Sequence, residues 1–226
     1  MLSMMYKEWE PIYLKIIRDF GFSREKDEIA ARYLDDILDS FEVEDTYDEL
    51  MGILKGEDVF ICGRGPCLHK KIESYKRDLR DGIVLAADGA TSTLLEKGIK
   101  PDVIVSDLDG FVPDQVKANR EGSIVVVHAH GDNIESINRW TKKFVKILGT
   151  TQSDPKKFRN LFNFGGFTDG DRAAFLAEHF GARTLNLLAF DFERTEEPSW
   201  KREIKMKKLK WCKLLLGLIK SDVNFL

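Results

Sequence analysis

From Asp58 to Phe190 the chain alternates short, almost wholly apolar runs with stretches of helical period, and this alternation constrains the fold more than any other feature. The runs are Val59 to Cys62, Ile83 to Ala87, Val103 to Ser106, Ile124 to His128, Val145 to Leu148, a weaker Leu161 to Phe164, and Leu185 to Phe190. Strands apolar at nearly every position are covered on both faces, which requires a parallel sheet between helical layers. The expected fold is therefore α/β, an open doubly wound, mostly parallel sheet. Before it, Tyr13, Ile16, Ile17 and Phe20, then Ile29, Tyr33, Leu34, Ile37, Leu38 and Phe41, recur at helical spacing. The period is broken by Gly21 and by the acidic stretch Glu42 to Asp45, and Thr46 with Glu49 has the spacing of a capping box for a third helix ending near Gly56. After it, seven Lys or Arg lie between Lys201 and Lys213, with Leu209, Cys212, Leu216 and Ile219 at helical spacing. The expected organisation is a helical N-terminal segment over 1–57, an α/β nucleotide-binding catalytic domain over 58–191, and a C-terminal helical segment over 192–226 with a solvated basic face.

Composition narrows the class. The 226 residues carry 35 Lys+Arg against 38 Asp+Glu, a formal charge of −3, so no global basic field favours nucleic acid as a partner. An apolar fraction of 43% excludes a disordered chain, and three scattered cysteines, Cys62, Cys67 and Cys212, exclude a disulfide scaffold. No apolar run is long enough for a membrane span, and Lys7, Glu8 and Glu10 interrupt what a signal peptide would need, so a cytoplasmic protein with reduced thiols and no membrane partner is expected.

The chemistry collects after the strands. Asp88, the pair Asp107 and Asp109, Asp132, the pair Asp169 and Asp171, and Asp191 each follow an apolar run or a glycine turn. In an open parallel sheet all these positions lie along one edge, where such folds bind ligands. A single Asp after a strand is ordinarily a turn former or helix cap. Two Asp-x-Asp pairs among so many carboxylates would repel unless a cation offset them, and hard oxygen donors with few His select Mg²⁺ carrying phosphates. Gly63-Arg64-Gly65-Pro66 directly follows the first strand and opens a helix, a geometry that presents backbone N–H groups to an anion, or simply a tight strand-to-helix turn. Neither a dinucleotide fingerprint nor a Walker loop is present. His128-Ala129-His130 is read as hydrogen bonding to phosphate or substrate, or as structural, rather than as a zinc site. Asp107-Leu108-Asp109-Gly110 also fits a haloacid-dehalogenase-type phosphatase with Asp107 as nucleophile, and a non-catalytic nucleotide-binding or glycan-assembly module is a further alternative.

Several motifs resemble known families. Ala87-Asp88-Gly89-Ala90 through Leu94-Leu95, Gly98-Ile99-Lys100-Pro101-Asp102, Ser106-Asp107-Leu108-Asp109-Gly110, and Thr168-Asp169 followed by Arg172-Ala173 resemble the nucleotide-binding half of thiamine pyrophosphokinases. Gly63-Arg64-Gly65-Pro66-Cys67-Leu68, His128-Ala129-His130-Gly131-Asp132-Asn133 and Gly165-Gly166-Phe167-Thr168-Asp169-Gly170-Asp171-Arg172 resemble more closely the archaeal-type 6-hydroxymethyl-7,8-dihydropterin pyrophosphokinases of the same superfamily, over about Asp58 to Asp191. Cys67 departs from the Ser usual there. The short stretch after Asp191 leaves no room for the β-sandwich of a thiamine enzyme. The resemblance implies transfer of the β,γ-diphosphate of ATP to a reduced pterin alcohol with release of AMP, in tetrahydromethanopterin- or folate-type pterin biosynthesis. It implies Asp107, Asp109 and Asp169 as Mg²⁺ ligands with Asp88 and Asp132 as second candidates, and Asp132 or Asp171 as acceptor of the hydroxyl proton. Arg172 and Arg64 would meet phosphate oxygens. The nucleotide site would take in Gly63, Gly65, Pro66, Asp88, Gly89, Thr91, His130 and Thr168, and the pterin would meet Phe167, Asn133 or Asp191. A homodimer through the terminal helices is compatible with the sequence but has no specific signal.

Overall fold

Three helices open the chain because their apolar residues fall three and four apart. In the computed structural model, which describes residues 4–226, they are α1 (Tyr6–Phe20), α2 (Arg24–Leu38) and α3 (Val43–Leu54). Met1 to Ser3 of the expected N-terminal segment lie outside the described residues. Trp9, Tyr13 and Ile16 of α1 and Leu34 and Leu38 of α2 are fully buried. Gly21, at φ +69°, ends α1 in the left-handed conformation that glycine adopts without strain, and Ser23 caps α2 by accepting from the Lys26 N–H at 3.3 Å. The third helix begins four residues earlier than its capping-box spacing suggests, with Glu42 rather than Thr46 at its N-cap. Thr46 lies inside it, its hydroxyl donating to the Glu42 carbonyl at 3.1 Å.

The strands are β1 (Asp58–Cys62), β2 (Ile83–Ala87), β3 (Val103–Ser106), β4 (Ile124–Ala129), β5 (Ile147–Thr151), β6 (Leu161–Phe162), β7 (Thr184–Leu188) and β8 (Asp222–Phe225). Between them run α4 (Leu68–Ser74), α5 (Lys76–Asp81), α6 (Ala90–Glu96), α7 (Val112–Arg120), α8 (Ile134–Trp140), α9 (Asp169–His179) and α10 (Ser199–Leu216). All eight strands are parallel, in the order β6-β5-β4-β3-β2-β1-β7-β8. Three strand readings shift, the sixth stopping at Phe162, two residues short of Phe164. The fifth begins at Ile147 because the Val145 N–H is taken by Asn119 Oδ1 at 2.7 Å, and the seventh ends at Leu188 because Ala189 turns into the left-handed region. The C-terminal segment is not all helix: β8 joins the sheet edge, and its four residues Asp-Val-Asn-Phe are too few and too polar to stand out.

The chain steps from β1 outward to β6, then crosses back to the far side of β1 for β7 and β8. Right-handed crossovers place helices on opposite faces for the two directions, and α9 packs on β1, β2 and β3 with α10 beside it. The two directions diverge between β1 and β7, so the loops leaving those strands part and open a crevice. Only a 3₁₀ turn, Pro155–Lys157, connects β5 to β6. The surface left open is filled by α2, which packs on β4, β5 and α8. Gly149 makes this approach possible, since a Cβ there would collide with the Leu38 and Leu161 side chains. The N-terminal helices and the sheet thus share one hydrophobic core. Among the described residues no helix is long and apolar enough to cross a membrane.

Candidate active site

The carboxyl ends of the strands line a cleft of about 350 Å³. Its floor is held by unusual backbone. Among the described residues the three non-glycine positions with positive φ are Asp88 (+41°), Leu108 (+66°) and Ala189 (+59°), each just past a strand that ends at the cleft. Such conformations cost roughly 1–3 kcal/mol each and persist where surrounding contacts over-determine them. At Asp88 those contacts are the Ser106 hydroxyl and the Gln115 amide, which donate to Oδ1 at 2.6 and 2.9 Å. The Ser106 hydroxyl also accepts from the Leu108 N–H at 2.9 Å, tying the β2 and β3 turns together. Gly110 must lack a side chain because the Asp88 carboxylate occupies the space a Cβ would need, and Gly65 likewise abuts the Ala189 carbonyl.

These turns bring Asp88, Asp107 and Asp109 together, with one carboxylate oxygen of each within 4.8 Å of the others. Their electrostatics diverge. Withdrawal from water works to raise Asp107, but the His130 ring at 3.5 Å, Arg172 and Lys208 hold its carboxyl down at about 2. Loss of water in the cleft, with Asp107 and Asp88 beside it, pushes Asp109 up to about 7. His130 Nδ1 accepts from the Asp132 N–H at 3.3 Å, which leaves Nε2 to carry the proton toward Asp107. The set fits a hard divalent cation: three oxygen ligands, no sulfur, and carboxylates that repel one another without a counter-charge.

Of the residues expected at the site, Gly63, Arg64, Gly65, Pro66, Asp88, Gly89, Asp107, Asp109, His130, Asp132, Phe167, Thr168, Asp169, Arg172 and Asp191 line this cleft. Asp169 stands apart from the three-carboxylate group and pairs with Arg172 at 3.2 Å. Burial and the neighbouring Asp107 raise its carboxyl well above the usual range. Three expected residues point elsewhere. Asp171 is fully buried and accepts from the Phe167 N–H, the Thr168 N–H and the Thr168 hydroxyl, so its carboxylate is occupied in capping α9. Asn133 is a buried brace, donating to the Asp107 and His128 carbonyls at 2.8 and 2.7 Å. Thr91 is buried in α6 outside the cleft wall.

Sequence reasoning missed a second set. Lys26 and Asp27 enter from α2, Phe22 from the turn before it, Gln152 from the end of β5, and Lys205 and Lys208 from α10. Only Lys205 and Lys208 had a signal, as part of the basic run, and nothing local aimed them at the carboxylates. Asp27 is buried, its Oδ2 accepting from the Tyr13 hydroxyl at 2.7 Å and its Oδ1 from the Gly131 N–H at 2.8 Å. Burial raises its carboxyl, against the pull of those two donors.

Residues 32–197 match the family described as "MptE-like: 6-hydroxymethylpterin diphosphokinase MptE-like". A Pyrococcus furiosus protein named 6-hydroxymethyl-7,8-dihydropterin pyrophosphokinase is 44% identical over 97% of this chain and 96% of its own length. Proteins of the same name from Methanocaldococcus jannaschii and Methanothermobacter thermautotrophicus are 43% identical over 98% of both chains, and 42% identical over 84% of this chain and 79% of the relative. A solved structure of the MAf glycosyltransferase from Magnetospirillum magneticum AMB-1 aligns with 69% of this chain and 28% of its own, at 19% identity and a TM-score of 0.46. With several expected motif residues gathered in one cleft and near-full-length relatives above 40% identity, the chain belongs to the 6-hydroxymethylpterin diphosphokinase MptE-like family.

Proposed function

We propose that the protein is a Mg²⁺-dependent pyrophosphokinase that transfers the β,γ-diphosphate of ATP to the hydroxymethyl group of 6-hydroxymethyl-7,8-dihydropterin and releases AMP, a step of tetrahydromethanopterin- or folate-type pterin biosynthesis. The observation that carries this reading is the convergence of Asp88, Asp107 and Asp109 beside the Gly63–Pro66 turn, within a cleft that also holds Arg64, Arg172, Lys205 and Lys208. Asp107 and Asp109, with Asp88, would hold the cation. A divalent cation held by these three carboxylates would supply charge neutralisation to the phosphate oxygens.

The protein's residues do the rest by placement. The turn after β1 offers its backbone to the nucleotide phosphates, and Arg172, fixed by Asp169, meets the transferring group. The hydroxymethyl oxygen forms a bond to the β-phosphorus while the bond from that phosphorus to the α,β-bridging oxygen breaks. AMP leaves with the bridging oxygen, and the hydroxyl proton passes to Asp132, which lines the cleft where Asp171 does not. No observation favours the phosphatase or the non-catalytic alternative.

The test is to incubate the protein with Mg²⁺, ATP and the reduced pterin and follow both products. AMP and a pterin diphosphate should appear in equal amounts, chelation should stop the reaction, and Mg²⁺ should restore it. Asp107→Asn and Asp109→Asn should each lower kcat by about 100-fold or more, the scale of removing one preorganised charge from a transition state. Free phosphate as the only product, or near-normal rates in both variants, would overturn the reading.

A further inference from the structure

The two ends of the cleft differ in construction. In strand order, the turns after β7 and β1 (Ala189 to Asp191, and Gly63 to Pro66) lie at one end, the metal-binding carboxylates on the β2 and β3 turns lie in the middle, and the turns after β4 and β5 (His130 to Asp132, and Gln152) lie at the other. In-line displacement puts the attacking and leaving oxygens on opposite sides of the β-phosphorus. With the nucleotide on the β1 turn and its phosphates over the central carboxylates, AMP departs toward β1 and β7. The acceptor must then approach from β4 and β5, which is the end the N-terminal helices wall off.

That wall has a distinctive chemistry. Asp27 is 4% exposed, lines the cleft, and among the described residues forms no ion pair. A buried carboxylate without a cation depends on hydrogen-bond donors. Its two oxygens offer about four acceptor positions, of which Tyr13 and Gly131 fill one on each. Each oxygen therefore keeps acceptor capacity, and a carboxylate can take two parallel N–H donors, one on each oxygen. In the same cleft Phe22 is 38% exposed, backed by the buried Phe167, whose ring centroid lies 6.5 Å away. A planar heterocycle whose edge carries a ring N–H next to an exocyclic amino group matches both elements.

We propose that Asp27 is the specificity-determining residue for the acceptor, reading the ring N–H and 2-amino group of the pterin while the exposed Phe22 ring packs against its face. This rests on the pyrophosphokinase reading and adds to it the acceptor site and its recognition element, making the N-terminal helices one half of the active site. Asp191 falls at the nucleotide end and Asn133 is a brace, so neither reads the pterin.

The experiment compares 6-hydroxymethyl-7,8-dihydropterin with its 2-deamino analogue as acceptor, with saturating Mg²⁺ and ATP. The wild-type protein should prefer the pterin by roughly 10- to 100-fold in kcat/KM, the worth of a hydrogen bond to a charged group. Asp27→Asn should raise the KM for the pterin by a similar factor, bring the preference close to one, and leave the KM for ATP within about twofold. A structural fault would instead depress both acceptors equally and keep the preference, and that result would overturn the proposal. So would a wild-type protein that uses both acceptors equally well, a measurement that does not depend on the variant folding. Absence of any pterin diphosphate from the wild-type protein would remove the pyrophosphokinase reading and this inference together, whereas turnover without discrimination removes the inference alone.

Discussion

At the scale of single residues, the cleft sets carboxylates a few ångströms apart to different tasks through their neighbours. Asp107 has His130, Arg172 and Lys208 to stabilise its charge, while Asp109 has Asp107 and Asp88 to oppose it. Asp109 carries a linkage consequence. A carboxyl whose folded value stands near 7, against an ordinary value near 3.8, binds its proton more tightly when folded. Its contribution favours the fold below about pH 4 and is lost as pH rises through about 7. Asp109→Asn should therefore raise the Tm of metal-free protein at pH 8 relative to wild type, with a smaller difference at pH 4. Thermal melts at the two values, with and without Mg²⁺, check this, and added Mg²⁺ should narrow the gap at pH 8. Equal Tm differences at both pH values would show that repulsion at Asp109 is not what the cation relieves.

Whole elements decide which side chains reach the chemistry. The N-terminus of α9 presents Asp169 and Arg172 to the cleft because Asp171, between them, folds back on Phe167 and Thr168. Replacing it with Ala would leave buried N–H groups without acceptors, and Asp171→Ala should destabilise the protein by about 1–3 kcal/mol in a denaturant titration. A loss below a few tenths of a kcal/mol would mean that the cap is dispensable and the carboxylate is free for another role. The basic run in α10 divides by helical position. Lys205 and Lys208 share the cleft with Leu209 and Cys212, while Lys207 turns to Asp19 at 2.8 Å and Trp211 donates to the same carboxylate. The run that reads as a solvated face thus partly lines the cleft.

For the molecule as a whole, the N-terminal helices share the core of the sheet. Leu34 and Leu38 press against Gly149 in β5, and the Trp9 indole donates to the Gln152 carbonyl at the end of the same strand. Leu34→Ala should cost about 2–5 kcal/mol, the range for emptying a buried leucine site. Far-UV circular dichroism and tryptophan fluorescence should report one coincident transition at lower denaturant. Two separated transitions would show instead that the helices fold as an independent unit and only rest on the sheet.

The sequence by itself determined the layers, the parallel sheet, and the edge on which Asp88, Asp107, Asp109, Asp132 and Asp169 would gather. These follow from local periodicity and from the rule that parallel strands end on one side. It also showed the Gly63–Pro66 turn, because a glycine turn between strand and helix is a local signal. Only the tertiary structure decided that Asp171 would serve the backbone, that Asp169 would pair with Arg172 outside the carboxylate triad, and that Asp27, Phe22, Lys205 and Lys208 would enter the cleft from either end of the chain. Those outcomes depend on how α2 and α10 dock against strands far away in sequence. Docking is set by shape and shared burial, as where Gly149 admits α2, and periodicity within a helix records which face is buried but not what that face will meet.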